Sequence, residues 1–125
     1  MTTEKTPLQA VDRDVVPRYE WGSNSYGWRL VDQPDLSVME ERVPPGSFED
    51  WHVHDRARQF FYILSGHAEM RTFEGTVTLP PGTGVEVPPG IAHQFANTGD
   101  SDAVFLVASA PTTQGDRRAP GPAMP

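Results

Sequence analysis

The chain has 125 residues, 37% of them hydrophobic, and a formal net charge of -7. That length suffices for one domain with a single core and not for two, and the acidic balance repels a nucleic-acid backbone or an anionic membrane surface. No apolar run approaches the ~20 residues of a membrane span, the opening MTTEKTPLQA lacks a signal-peptide core, and cysteine is absent. The expectation is a soluble, cytoplasmic protein without nucleic-acid or membrane partners, in which any metal is held by N and O donors.

Residues 1–17 read as an N-terminal arm, 18–112 as one barrel and 113–125, ending in APGPAMP, as a flexible tail. Helical periodicity is hard to find. Short apolar or alternating runs predict strands at 27–31, 36–43, 51–54, 59–64, 68–73, 76–79, 84–87, 93–95 and 103–109. Turn signals separate them: Pro44-Pro45-Gly46, Ser65-Gly66, Glu74-Gly75, Pro80-Pro81-Gly82, Pro88-Pro89-Gly90 and the run from Asn97 to Asp100. Many short strands at such spacing predict an all-β sandwich or barrel.

Within the strand predicted at 36–43, Glu40 and Glu41 are neighbours and face opposite ways, so one of them points inward. Which one is left open by the apolar pattern. Both are candidate acid/base residues, because an interior carboxyl beside a metal can be tuned for proton transfer.

The stretch WHVHDRARQ follows. In a strand His52 and His54 share a face with their imidazoles about 6 to 7 Å apart, close enough to converge on one ion. Gln59 is an odd number of residues beyond His52, so a loop through Asp55, Arg56, Ala57 and Arg58 has to turn the chain back before Gln59, Phe61 and Ile63 can face the same interior. Further on, Pro88-Pro89-Gly90 launches a short strand in which His93 and Phe95 share a face. Phe61, Ile63 and Phe95 are thus candidate pocket walls beside the candidate ligands, although aromatic residues in strands are most often core.

These two blocks resemble the signature of the cupin superfamily. The first motif, G-x5-H-x-H-x4-E-x6-G, fits Gly46, His52, His54, position 59 and Gly66, with Gln59 where Glu is usual; the second, G-x5-P-x-G-x2-H-x3-N, fits Gly82, Pro88, Gly90, His93 and Asn97. The resemblance implies a jelly-roll β-barrel, a homodimer, and one divalent transition metal (Mn, Fe, Ni, Co or Zn) bound by His52, His54, Gln59 and His93. Gln59 has two readings. Either the loss of the carboxylate leaves a remnant that binds no metal, or the amide oxygen is a neutral ligand and the ion keeps its full charge, a stronger Lewis acid. Three remaining imidazoles favour the second.

The expected activity is that of a metalloenzyme acting on a small, oxygen-chelating substrate by isomerisation, cyclisation or elimination. Three-His/Gln ligation is similar to that of small cupins acting on unsaturated uronates, but their final strand carries an Asp, and here DAVFLVASAP has only Asp102 at its start. An Fe-dependent dioxygenase and a non-catalytic ligand-binding or sensory cupin are the alternatives. A substrate role for Arg117 or Arg118 requires the terminal segment to fold over the barrel mouth.

Overall fold

The computed structural model describes residues 8–22 and 24–121. Nine antiparallel strands form among them: β1 (Arg18–Trp21), β2 (Ser25–Gln33), β3 (Leu36–Val43), β4 (Arg58–Ser65), β5 (Ala68–Thr72), β6 (Gly75–Leu79), β7 (Gly84–Val87), β8 (His93–Ala96) and β9 (Ala103–Ala110). A six-stranded sheet runs β1-β2-β3-β9-β4-β7 and a three-stranded sheet runs β6-β5-β8. This is the all-β, double-stranded β-helix expected from the sequence. No described helix is long and apolar enough to cross a membrane.

The strands form where alternating side chains have a core to enter. Along β4 the odd positions Gln59, Phe61 and Ile63 are buried, while Phe60, Tyr62 and Leu64 face outward. β9 alternates in step, burying Ala103, Phe105, Val107 and Ser109. Against them the small sheet contributes Met70 and Phe95, and the ring of Phe95 stacks on Phe105 at 4.2 Å between centroids. Burying each such aromatic is worth about 2 to 3 kcal/mol, so this inter-sheet contact contributes substantially to holding the two sheets together.

Two strand expectations need correction. β1 was not anticipated, because RYEW is a short, charged edge strand with little apolar signal. The predicted strand at 51–54 is extended but not regularly paired: His52 exchanges both main-chain hydrogen bonds with His93 on one side, and Val53 exchanges both with Arg118 on the other. Its neighbours change from one residue to the next, so a ladder cannot develop. Residues 46–52 nonetheless lie antiparallel beside β8, with Glu49 N–H donating to Phe95 O and Asn97 N–H to Ser47 O.

The motif glycines and Asn97 serve this geometry. Gly66 turns between β4 and β5 at φ +80°, and a Cβ there would lie 2.2 Å from the carbonyl oxygen of Asp102. Only glycine satisfies both conditions. Asn97, 1% exposed, donates its amide to the carbonyls of Val43 and Ser101 and accepts from Gly99 N–H, which pins the end of β3 to the turn before β9.

The segment after β9, expected as a flexible tail from residue 113, is packed against the barrel as far as Arg118. Thr112 N–H donates to Pro34 O. The carboxylate of Asp116 accepts main-chain N–H groups of Asp55, Arg56 and Ala57 at 2.8 to 3.3 Å. Arg118 then pairs in bidentate fashion with Asp55. Polar and glycine-rich composition hid this, because the docking relies on hydrogen bonds and not on an apolar stripe.

Candidate metal centre

Two chain segments deliver the three imidazoles. His52 and His54 come from the extended piece before β4, on one face with Val53 turned away, and His93 opens β8. All three are buried, and one ring nitrogen from each falls within 4.8 Å of the others.

Which nitrogen points inward is fixed by the main chain. Nδ1 of His52 contacts Asp50 O at 2.8 Å, Nδ1 of His93 contacts Ile91 O at 2.8 Å, and Nδ1 of His54 contacts Asp116 O. A carbonyl only accepts, so each Nδ1 carries the proton and each Nε2 keeps a free lone pair. Backbone locking of the distal nitrogen is the usual support of a metal-ligating histidine. Burial depresses the imidazole pKa values, to about 3 for His52, where His93 adds to the effect, and to about 4 for His93; burial lowers His54 as well. The three rings are therefore neutral, as ligation requires.

Two buried atoms at this cluster have no hydrogen-bond partner: Nε2 of His93 and Oε1 of Gln59. The Gln59 amide nitrogen donates to Ser109 Oγ at 3.2 Å, which fixes the orientation of the group and leaves its oxygen free. An unpaired buried acceptor costs about 1 to 3 kcal/mol, and two on one cluster are the pattern that a cation relieves. The donor set of three imidazoles and one amide oxygen suits a first-row divalent ion.

A cavity of about 250 Å³ opens onto His52, His54, Gln59 and Phe61. Of the two sequence candidates, Glu41 lines it and Glu40 does not: Glu40 faces away and pairs with Arg13 at 3.3 Å. Ile63 and Phe95, expected as pocket walls, lie deeper. They are 0% and 1% exposed within the inter-sheet core, because two residues along a strand moves a side chain a full layer away from the ligands.

Tyr19, Arg29 and Glu49 escaped the sequence reading, and Arg117 reaches the cavity because the terminal segment does fold over the barrel mouth. Tyr19, from β1, has its ring on Gly27, where a Cβ would lie 2.2 Å from the ring, and so reaches Glu41 with its hydroxyl at 2.6 Å. Glu49 extends from the piece beside β8; one oxygen accepts Phe95 N–H at 2.9 Å and the other lies 4.0 Å from Nε2 of His52. Arg29 and Arg117 also line the cavity. Burial pushes Glu41 up to about 7, against the Tyr19 hydrogen bond and the two arginines, and pushes Glu49 up to about 8. Burial and the Glu41 charge raise Tyr19 as well. Glu49 was visible only as a residue in a motif gap, and Tyr19 and Arg29 carried no spacing signal at all.

An antiparallel double-stranded β-helix with three buried imidazoles turned toward one point defines a barrel protein with a histidine cluster fit for a metal. The chain belongs to the cupins: the Cupin_2 family, described as a cupin domain, matches residues 39–109, more than half of the sequence. It is 35% identical over 85 residues to a glucose-6-phosphate isomerase of Thermococcus onnurineus, covering 58% of this chain and 45% of that protein. The chain spans less than half the length of the curated relatives it matches. Among solved structures, a cupin-superfamily sugar phosphate isomerase from Silicibacter pomeroyi superimposes with a TM-score of 0.74 at 24% identity, covering 83% of this chain and 76% of that one. The polyketide cyclase RemF from Streptomyces resistomycificus gives 0.74 at 20% identity, covering 84% and 80%. At those identities the two structures establish the fold.

Proposed function

We propose that this cupin is an enzyme that uses one divalent transition metal, held by His52, His54, His93 and Gln59, to process a small oxygen-bearing substrate by isomerisation, cyclisation or elimination. The observation that carries the reading is the set of main-chain-locked tautomers, which leaves three neutral Nε2 lone pairs in one buried cluster, with the free oxygen of Gln59 in the lining of the same cavity. A metal in such a neutral donor set supplies Lewis acidity, polarising a carbonyl or stabilising an enolate.

The chain's own residues supply the proton handling. Glu49, 4.0 Å from the ligand nitrogen of His52, is placed to take a proton from a carbon or hydroxyl held at the cluster. Glu41 and Tyr19 form a second, hydrogen-bonded pair that can return one elsewhere in the cavity. Phe61 walls the site and limits water. The names of the isomerase and cyclase relatives agree in kind with proton movement beside a carbonyl. An outward stripe of Phe60, Tyr62 and Leu64 on β4 supports the homodimer expectation as the surface a second copy would cover.

The test is metal analysis by mass spectrometry on untagged protein, beside His52→Ala/His54→Ala, followed by deuterium exchange from solvent into aldose and ketose sugars and their phosphates. About one equivalent of one transition metal in the parent, none in the variant, and exchange that requires the metal support the reading. Iron-dependent oxygen consumption without such exchange moves the assignment to a dioxygenase. Absence of any metal uptake leaves a ligand-binding module.

A further inference from the structure

The acidic chain places two arginines at the cavity that opens onto His52 and His54. Arg29 comes from β2, and Arg117 from the segment that crosses the barrel after β9. Neither forms an ion pair with a carboxylate among the described residues, whereas Arg13, Arg42, Arg56, Arg58, Arg71 and Arg118 all do. Arg29 is steadied over the Tyr19 ring at 4.3 Å, a contact that leaves the guanidinium edge free to donate.

Arg117 is held in place by its neighbours on both sides. Asp116, 4% exposed, anchors through its carboxylate to the N–H groups of residues 55–57 and through its carbonyl to His54. Arg118 exchanges main-chain hydrogen bonds with Val53 and pairs with Asp55. A residue flanked by two such anchors has little backbone freedom, and its side chain lines the cavity together with Thr113 and Gln114 of the same segment.

We infer that residues 113–117 form a fixed strap whose Arg117, with Arg29, receives a carboxylate or phosphate, so that the substrate is a small oxygen-rich anion and not a neutral molecule. The inference rests on the metal-site reading for the substrate's other end, which would sit at the histidine cluster. Guanidinium groups outside any ion pair match carboxylate and phosphate oxygens in geometry and charge. Glu41 and Glu49 line the same cavity, but Glu41 accepts the Tyr19 hydroxyl and Glu49 accepts Phe95 N–H, and neither pairs with Arg29 or Arg117. A cavity of about 250 Å³ admits a molecule of sugar-acid size.

The strap and the anion site are tested together by arginine modification of the intact protein with phenylglyoxal, read by mass spectrometry at individual residues. D-galacturonate and D-glucose 6-phosphate are compared with the neutral sugars D-galactose and D-glucose. The expected result is slowing of Arg117 and Arg29 modification several-fold by at least one charged sugar and by neither neutral one, with Arg58, on the outer face, unaffected. Protection by the uronate alone assigns a carboxylate, and by the phosphate alone a phosphate. Unchanged rates at Arg117 with both charged sugars, or equal protection by neutral ones, overturn the inference. In Arg117→Gln the affinity for the protecting sugar should fall at least about tenfold, the weight of one charge-assisted hydrogen bond. Metal content is measured on the same samples: protection without metal keeps the anion site and removes the metal reading, and metal without protection does the reverse.

Discussion

Nδ1 of His54 donates to the main-chain carbonyl of Asp116, across 62 positions of sequence. The same residue's carboxylate, buried at 4% exposure, accepts three consecutive N–H groups of the loop that follows His54. One residue of the strap therefore both sets the tautomer of His54 and holds the loop between the proposed ligands His54 and Gln59. Asp116→Ala should lower stability by on the order of 2 kcal/mol, because it removes the acceptor of three N–H groups, that of Ala57 buried, and should weaken metal binding by about tenfold or more through the loosened support of His54. Urea unfolding of the metal-free protein and competition against a chelator measure the two effects. Full metal affinity in the variant would show that the strap is not part of the site.

The locked imidazoles lead to a second expectation. Binding to the folded state alone stabilises it, by about 4 kcal/mol when free metal stands a thousandfold above Kd. Thermal unfolding of the stripped protein should move upward with one or more of Mn, Fe, Ni, Co and Zn. His93→Ala, which removes a fully buried ligand whose Nε2 has no protein partner, should abolish that shift. The variant also leaves a cavity beside Phe61, so its metal-free stability should drop by a further amount that metal cannot restore.

Much of this site was legible because strand periodicity and two spaced motifs constrain the same residues twice. His52, His54 and His93 meet as one buried cluster, Gln59 lines the cavity beside it, and the core role of the aromatic residues on β4, β8 and β9 follows from strand alternation. What alternation cannot register is depth along a strand, which is why Ile63 and Phe95 proved to be core. Nor can it see contacts made by isolated polar residues. Tyr19 reaches Glu41 only because Gly27 leaves room for the ring, and Arg117 reaches the cavity only because Asp116 finds three N–H groups far away in sequence. Glu40 and Glu41 were separated by the register of β3 against β2, where Glu41 lies opposite Gly27, beneath Tyr19.

The buried titratable groups give the metal-free protein a pH optimum of stability. His52 and His93 have pKa values of about 3 and 4 folded against an ordinary value near 6.5, so unfolding takes up protons below pH 6.5 and stability is lost as pH falls through that range. Glu41 and Glu49 are shifted the other way, to about 7 and about 8 from 4.5. Their contribution is complete below pH 4.5 and is lost as pH rises through the folded values. Between pH 4.5 and 6.5 the two sets oppose each other, and above 6.5 only the carboxyl groups act. The urea midpoint should therefore be nearly level between pH 4.5 and 6.5 and fall toward pH 8, with Glu49→Gln flattening the alkaline side. A midpoint that stays level from pH 6.5 to 8 would contradict the burial of the two carboxyl groups.

Gln59→Glu restores the residue usual at this motif position and separates the two meanings of its absence. The new carboxylate would sit at 5% exposure against Ser109 Oγ, with three neutral imidazoles and no cation beside it in the stripped protein. Burying a charge without a partner is costly, so the metal-free variant should be less stable above pH 7 and should bind a proton there. Loaded with metal, the same carboxylate gains a Coulomb attraction that the amide lacks, and affinity should rise at least about tenfold, equivalent to about 1.4 kcal/mol. The partial neutralisation of the ion should at the same time raise the pKa of any bound water and slow a Lewis-acid reaction. Tighter metal with slower deuterium exchange is the outcome expected if Gln59 serves to keep the ion strongly electrophilic. Tighter metal with faster exchange would mean that the glutamine is a weakened ligand, and that the chemistry prefers the carboxylate.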